Sequence, residues 1–179
     1  LLNLIGPLGC GYTIPSDMHT ALLVAGGLGV APMPFLCEEA QTHGKGVEVY
    51  LGAKTASELS MVDVIKDLGV EVFISTEDGS LGKRGLVTEI LLDRLEKLPS
   101  SRGVHLFSCG PNSFLQAMIA ISEKRGIRGQ VAIETMMGCG FGICVGCPVR
   151  VRGGDRGGLY KLTCVEGPVF DAMEIVLDD

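Results

Sequence analysis

Apolar runs of strand length alternate with longer stretches of helical periodicity between residues 20 and 134. Runs rich in Val, Ile and Leu predict five strands, at 20–25, 47–51, 70–75, 104–109 and 130–133. Apolar residues three and four positions apart predict helices at 33–42, 58–68, 86–98 and 113–124. Alternation of strands and helices is typical of a parallel sheet covered by helices. The predicted fold class is therefore α/β, with a five-stranded parallel sheet.

The pattern changes after residue 134, where glycine, cysteine and proline become frequent and the helical period ends. Short β signals remain at 148–151, 160–163 and 174–177, and residues 153–158 predict a glycine-rich turn. We therefore expect two units: an α/β domain at 15–134 and a small β-rich module at 135–179.

Composition and charge argue against several classes of function. The 179 residues are 46% hydrophobic and 20% charged, which is a globular composition, and the formal net charge is -6. That charge leaves no broad basic surface for nucleic acid. The longest apolar runs have strand length, well below the ~20 residues of a membrane helix, and no secretory signal pattern is present. We expect a cytoplasmic protein that binds neither nucleic acid nor a membrane.

Four of the seven cysteines lie between residues 139 and 164. Cys139, Cys144 and Cys147 have the C-x4-C-x2-C spacing of plant-type [2Fe–2S] ferredoxins, and Cys164 follows as a fourth thiolate. Glycines between them let the backbone approach the cluster and point its N–H groups at the sulfurs. The alternative is structural zinc, which prefers paired C-x2-C knuckles, and only Cys144 and Cys147 form such a pair. The spacing therefore favours the cluster.

The other cysteines considered and the histidines give no indication of a catalytic side chain. Cys10 and Cys37 are interpreted as packing residues, because a free cysteine behaves as a small buried hydrophobe. His19, His43 and His105 are isolated from any nucleophile or carboxylate pair. We predict no catalytic side chain, which is consistent with redox chemistry that cofactors perform and the protein positions.

Two glycine turns follow predicted strands and precede predicted helices. Such a turn lets a pyrophosphate approach the backbone, and the helix start offers unpaired N–H groups. The first turn departs from G-x-G-x-x-G, and purely structural punctuation is its alternative interpretation. Both turns fall at the carboxyl edge of the sheet, where open α/β sheets bind ligands. The candidate residues are Gly26, Gly27, Gly29, Val30, Ala31 and Pro32 in the first turn and Cys109, Gly110 and Pro111 in the second.

These motifs together resemble the ferredoxin–NADP reductase superfamily, in which a turn like 26–32 binds the pyrophosphate and a Cys–Gly–Pro turn like 109–111 flanks the nicotinamide. Within it, the continuation through residues 163–170 resembles the electron-transfer subunits of class 1B dihydroorotate dehydrogenases. This resemblance implies that electrons from a partner FMN subunit, in a heterotetramer, pass through a [2Fe–2S] cluster and FAD to NAD+ in pyrimidine biosynthesis. It favours NAD over NADP.

The resemblance also implies a flavin-binding barrel, of which residues 1–14 look like the end. We therefore expect FAD to bind in the full-length subunit rather than in this chain. A bifurcating NADH-dependent ferredoxin:NADP oxidoreductase and a sulfhydrogenase flavin subunit are alternatives in the same superfamily. The bifurcating enzyme tends to use aspartate as its first cluster ligand, where this sequence has Cys139. A zinc-binding docking module without catalysis is an alternative from another class.

Overall fold

The computed structural model of the protein describes residues 5–153 and 159–177. The first four residues of the expected barrel remnant lie outside this range, as do five of the six residues of the turn predicted at 153–158. The strands are β1 Thr20–Gly26, β2 Gly46–Ala53, β3 Glu71–Thr76, β4 Lys83–Arg84, β5 Val104–Cys109, β6 Gly129–Ala132, β7 Pro148–Val151, β8 Leu159–Leu162, β9 Val169–Asp171 and β10 Ile175–Val176. The helices are α1 Met33–Thr42, α2 Val62–Asp67, α3 Val87–Glu96, α4 Asn112–Arg125 and α5 Thr163–Glu166, with 3-10 turns at Gly27–Val30 and Ala56–Glu58.

The main sheet confirms the α/β class but is larger than predicted. The five predicted strands form its centre, in parallel, within the order β4-β3-β2-β1-β5-β6-β9. The predicted number of strands is wrong because a strand is added at each edge, and the prediction of an all-parallel sheet is wrong at β9. Strand β4 is only a Lys–Arg pair, too short and polar to show a strand pattern. Strand β9 runs antiparallel to β6 and comes from the cysteine module, so only tertiary pairing reveals it.

Helix α2 is shorter than the predicted 58–68 stretch. Met61 precedes it in a left-handed conformation, with a φ of 58°, and Leu59 is extended. Neither conformation can continue a right-handed helix. The apolar periodicity before Val62 therefore belongs to a 3-10 turn and a bend.

Helices cover both faces of the sheet. Leu22 and Leu23 are adjacent in β1 and point to opposite faces, as strand geometry requires. Leu23 belongs to the core beneath α1 and α2. Leu22 belongs to the core beneath α3 and α4, together with Leu91 and Met118.

A third hydrophobic core joins the cysteine module to the α/β domain. Leu115 of α4 and Val131 of β6 pack in one cluster with Val149, Phe170 and Ile175 of the module. Strands β7, β8 and β10 form a separate antiparallel sheet, whereas β9 extends the main one. The module is therefore held to the last strand and helix of the α/β domain by both packing and strand pairing.

The segment before β1 lies against β6 and against the cysteine module. The Thr13 amide donates to Gln130 Oε1 at 2.9 Å, and Gln130 Nε2 donates to the Thr13 carbonyl at 2.8 Å. Cys10 pairs with Pro168 in an isolated bridge and is exposed, so its prediction as a buried packing residue is wrong. Cys37 of α1 is fully buried as predicted, and burial raises the pKa of its thiol to about 12.

Among the described helices, none has the length and apolar character needed to cross a membrane.

A half-buried ion pair joins α3 to the sheet. From it we predict how the free energy of unfolding depends on pH. Arg94 binds Glu48 of β2 through two nitrogens, with Nη2–Oε1 at 2.6 Å and Nε–Oε2 at 2.9 Å, and the Tyr50 hydroxyl donates to the same carboxylate. Burial alone would raise the pKa of Glu48, but these hydrogen bonds outweigh it and lower that pKa. A lowered carboxyl pKa stabilises the fold above the unfolded-state value and loses that stabilisation as pH falls through the folded-state value.

We expect Glu48→Gln to lower the free energy of unfolding by about 1–3 kcal/mol at pH 7, because the charge-assisted hydrogen bonds weaken. The difference from wild type should shrink below the ordinary glutamate pKa of 4.5. Urea unfolding between neutral and acidic pH measures both. Asp93→Asn, which removes an exposed ion pair to Lys83, is the control and should change little. If the difference in free energy of unfolding between wild type and Glu48→Gln stayed constant at acidic pH, the lowered pKa assigned to Glu48 would be contradicted.

Candidate cluster and nucleotide sites

The first two candidate cluster ligands lie in the loop between β6 and β7. The Cys144 amide donates to Cys139 Sγ at 3.4 Å, and the Cys144 thiol is also close enough to hydrogen-bond that sulfur. Cys139 is half-buried and Cys144 is exposed. The loop therefore brings Cys139 and Cys144 together as an outer pair.

Cys147 and Cys164 form a second, buried pair. Their sulfurs are 3.2 Å apart, and the two residues are only 3% and 5% exposed. The antiparallel ladder of β7 and β8 pairs Pro148 with Leu162, which sets Cys147 and Cys164 beside each other at the ladder's end. This pairing joins residues that are 17 positions apart, and the strand register produces it.

The two pairs do not surround a single point. Across the described part of the chain, no three or more His, Cys, Asp or Glu side chains are arranged to hold one metal ion. A structural zinc site gathers four ligands around one atom. A [2Fe–2S] cluster needs four thiolates distributed over two irons. The donor set, four cysteines in two pairs, therefore fits the dinuclear cluster.

The backbone between the pairs supports this division. Val145 lies within the C-x2-C segment and has a φ of 54°, a left-handed conformation that β-branched residues rarely adopt. This left-handed residue lies between Cys144 and Cys147, which belong to different pairs. Gly142, with a φ of 92°, occupies another left-handed position in the loop, and its amide hydrogen-bonds Cys164.

The amides of the loop point at sulfur, as the sequence predicted. The N–H groups of Cys144 and Phe141 hydrogen-bond Cys139 and lower the pKa of its thiol to about 6. Hydrogen bonding to Cys147, with burial, raises the pKa of Cys164. The loop amides thus stabilise negative charge on Cys139.

The carboxyl edge of the main sheet holds a cavity of about 520 Å³. Of the candidate nucleotide residues, Gly26, Gly27 and Pro111 line it. The predicted site did not include the rest of the lining, which comes from the ends of β2 and β3, the 3-10 turn after β2, α3 and α4 and includes Lys54, Glu58, Ser75, Glu77, Thr88 and Phe114. Lys54 and Glu77 each follow a predicted strand by a few positions, a place that ordinary turn residues also occupy.

Gly29 packs closely against the second glycine turn. It is buried, and a Cβ on it would lie 2.0 Å from the Cys109 carbonyl oxygen. The two predicted turns therefore pack backbone against backbone, and Gly29 makes that contact possible. Val30 is a core residue beneath α1, so its side chain is turned away from the edge. Within the described chain, Ala31 and Pro32 border neither this cavity nor the next.

A second cavity, of about 420 Å³, lies between the second turn and the start of the cluster loop. Gly110 and Pro111 line one side, and Glu134, Thr135 and Met136 line the other. Cys109 stands just before this cavity, and burial, together with the charge of Glu134, raises the pKa of its thiol. Pro111 borders both cavities. A ligand that filled both would therefore extend along the carboxyl edge of the sheet, from the first glycine turn towards the cluster loop.

Comparison with known proteins agrees with this arrangement. Residues 134–176 match the iron-sulfur cluster binding domain of dihydroorotate dehydrogenase B. The chain is 35% identical over 176 residues to the dihydroorotate dehydrogenase B (NAD(+)) electron transfer subunit of Caldanaerobacter subterraneus subsp. tengcongensis, covering 98% of this chain and 66% of the relative. The corresponding subunit of Clostridium acetobutylicum is 32% identical, with coverage of 99% and 66%.

Solved structures share the fold. An NADH-dependent reduced ferredoxin-NADP oxidoreductase, studied for flavin-based electron bifurcation, superposes with a TM-score of 0.82 at 28% identity, covering 98% of this chain and 60% of that one. The cytochrome b5 reductase domain of Ulva prolifera nitrate reductase superposes with a TM-score of 0.51 at 19% identity, over 62% of this chain and 45% of that one.

The class defined by fold and site is an oxidoreductase subunit, with a ferredoxin-reductase-like domain and an iron–sulfur-binding domain. More narrowly, the chain belongs to the family of dihydroorotate dehydrogenase B electron transfer subunits. It spans 66% of the length of the family members compared above.

Proposed function

We propose that this chain carries electrons between a dihydroorotate-oxidising partner and NAD+, with a [2Fe–2S] cluster on Cys139, Cys144, Cys147 and Cys164. The observation that carries the proposal is the division of these cysteines into two pairs, near a cavity of about 420 Å³ at the carboxyl edge of the sheet. When bound, the cluster would supply one-electron steps, and a flavin would convert them to hydride transfer. The protein's own part is to hold the carriers close together and to admit the partner.

The exposed side chains around the cluster loop support docking of that partner. Met136 is 90% exposed and Ile143 is 75% exposed, and Met137 and Phe141 are exposed as well. These four apolar residues therefore lie on the surface rather than in a hydrophobic core. Apolar side chains grouped on a surface are typical of a protein interface. Electron transfer requires proximity, so an interface at the ligands themselves has a functional reason.

The carboxyl edge supports the NAD end of the path. Gly26 and Gly27 open onto the larger cavity, where Ser75 offers a buried hydroxyl and Lys54 a cation. The smaller cavity continues towards the cysteines past Pro111. We propose that the dinucleotide lies along this edge with its nicotinamide nearest Cys109. Calorimetric titration with NADH and NADPH measures the affinity and the preference between them.

A surface substitution tests the partner half of the proposal. We expect Ile143→Glu to weaken binding of a dihydroorotate-oxidising catalytic subunit by about tenfold or more, because a charge at the centre of an apolar interface must be desolvated. Val64→Glu, on the exposed side of α2, is the matched control and should leave affinity unchanged. Binding is measured by calorimetry with the cluster-loaded chain, and reduction of that chain by dihydroorotate through the partner is followed as bleaching of its visible absorbance. Equal affinities for both variants would contradict the proposed docking surface.

A bifurcating oxidoreductase is the second candidate, because the solved structure with a TM-score of 0.82 belongs to such an enzyme. The two candidates differ in electron donor. Reduction by dihydroorotate with its dehydrogenase subunit supports the first, and reduction by ferredoxin without that subunit supports the second.

A further inference from the structure

Thr163 is a fully buried residue whose side-chain hydroxyl has no hydrogen-bond partner in the described part of the chain. Its exposed fraction is 0%, and within residues 5–153 and 159–177 nothing bonds its hydroxyl. A buried hydroxyl that makes no hydrogen bond is costly, and most such groups are satisfied by protein, water or ligand. Thr163 begins α5, so no preceding turn of that helix offers the carbonyl that helical threonines commonly use.

The location of this hydroxyl suggests its missing partner. Thr163 directly precedes Cys164, and its amide donates to the Cys147 carbonyl at 3.0 Å. It is therefore fixed through its backbone to both members of the buried cysteine pair, whose sulfurs are 3.2 Å apart. Sulfur atoms gathered by this pair would be strong acceptors, since thiolates and bridging sulfides carry the negative charge of a cluster.

We propose that the Thr163 hydroxyl donates a hydrogen bond to sulfur of the cluster held by Cys147 and Cys164 and raises the cluster's reduction potential. The inference rests on the proposed cluster and adds a tuning residue to it. Reduction adds negative charge, so a hydrogen-bond donor stabilises the reduced form more than the oxidised form. Because Thr163 is not itself a ligand, removing its hydroxyl should change the potential while the iron stays bound.

The test compares variants that keep or remove the hydroxyl. Thr163→Val has nearly the same shape without the donor, and Thr163→Ser keeps the donor without the methyl group. At a fixed potential, we expect the ratio of reduced to oxidised cluster to fall about tenfold in the valine variant, equivalent to ~59 mV for a one-electron couple. The serine variant should remain near wild type. The measurement is a redox titration of the reconstituted chain followed by electron paramagnetic resonance.

Controls separate this inference from the proposed function. Iron and sulfide contents of the wild-type chain establish the cluster first, and a wild type without sulfide would mean that the proposed function has failed. Thr163→Ala supplies a second hydroxyl-free variant in case valine packs poorly, and it should shift the potential in the same direction. Thr42→Val, at the end of α1, should have no effect. Wild-type potentials in both hydroxyl-free variants, with full cluster content, would overturn the inference.

Discussion

Replacing Cys144 by serine should reduce the cluster content of the purified chain by about tenfold or more, the scale that even outer partners of metal ligands reach. A hydroxyl is a harder and poorer ligand for iron than a thiolate. Cys144 contributes to the outer pair in two ways, because it supplies one thiol and its amide hydrogen-bonds the sulfur of Cys139. The expected loss concerns the cluster and leaves the sheet folded, because Cys144 is exposed and lies outside the three hydrophobic cores.

Visible absorbance together with iron and sulfide analysis measures this loss. Cys37→Ala is the control, because Cys37 is buried beneath the sheet and far along the chain from the loop. The control should lose some stability and retain a full cluster. If the Cys144 variant retained as much iron and sulfide as the control, Cys144 would be removed from the ligand set.

Gly29→Ala should destabilise the fold by about 1–3 kcal/mol or more, as overpacking of a closed site does. Its Cβ would lie 2.0 Å from the Cys109 carbonyl oxygen and 2.7 Å from the Gly110 nitrogen, and these backbone atoms cannot rotate away as a side chain could. The two glycine turns would have to separate, which distorts the edge where the nucleotide is proposed to bind. We therefore expect lower stability together with weaker NADH binding.

Urea unfolding measures the loss, and Gly11→Ala provides the matched control. A Cβ on Gly11 meets no atom within 4 Å, and its backbone is not left-handed. The control should stay within about 0.5 kcal/mol of wild type. If Gly29→Ala were equally mild, the packing of one turn on the other would not hold the edge together.

The fold could be predicted from sequence where the signal was local. The bounds of α1, β5 and β7 agree with the sequence pattern, because each element shows its own burial pattern over its length. Helix α1 buries residues at helical spacing, β5 is a continuous buried run, and β7 alternates exposed and buried positions. Strand β9 could not be predicted as part of the main sheet, since its pairing with β6 depends on the third core rather than on its three residues. Helix α2 was predicted too long because the pattern cannot reveal the left-handed Met61.

The candidate site divides in the same way. Spacing alone singled out the four cysteines as candidates. The pairing of Cys147 with Cys164 follows from the register of β7 and β8, which the spacing does not contain, whereas Cys139 and Cys144 meet within one loop. Gly26, Gly27 and Pro111 were predicted from turn chemistry and do line the cavity. Lys54, Ser75 and Glu77 were not included in the predicted site, because the ends of β2 and β3 meet at one cavity only when the sheet forms. The roles of all these residues in binding stay predictions.

The most direct measurement of the central claim is the metal and sulfide stoichiometry of the chain after anaerobic reconstitution, combined with electron paramagnetic resonance of the reduced protein. Four cysteines in two pairs predict two irons and two sulfides per chain, with a paramagnetic signal that appears on one-electron reduction. One zinc per chain, with no sulfide and no signal on reduction, would contradict the account.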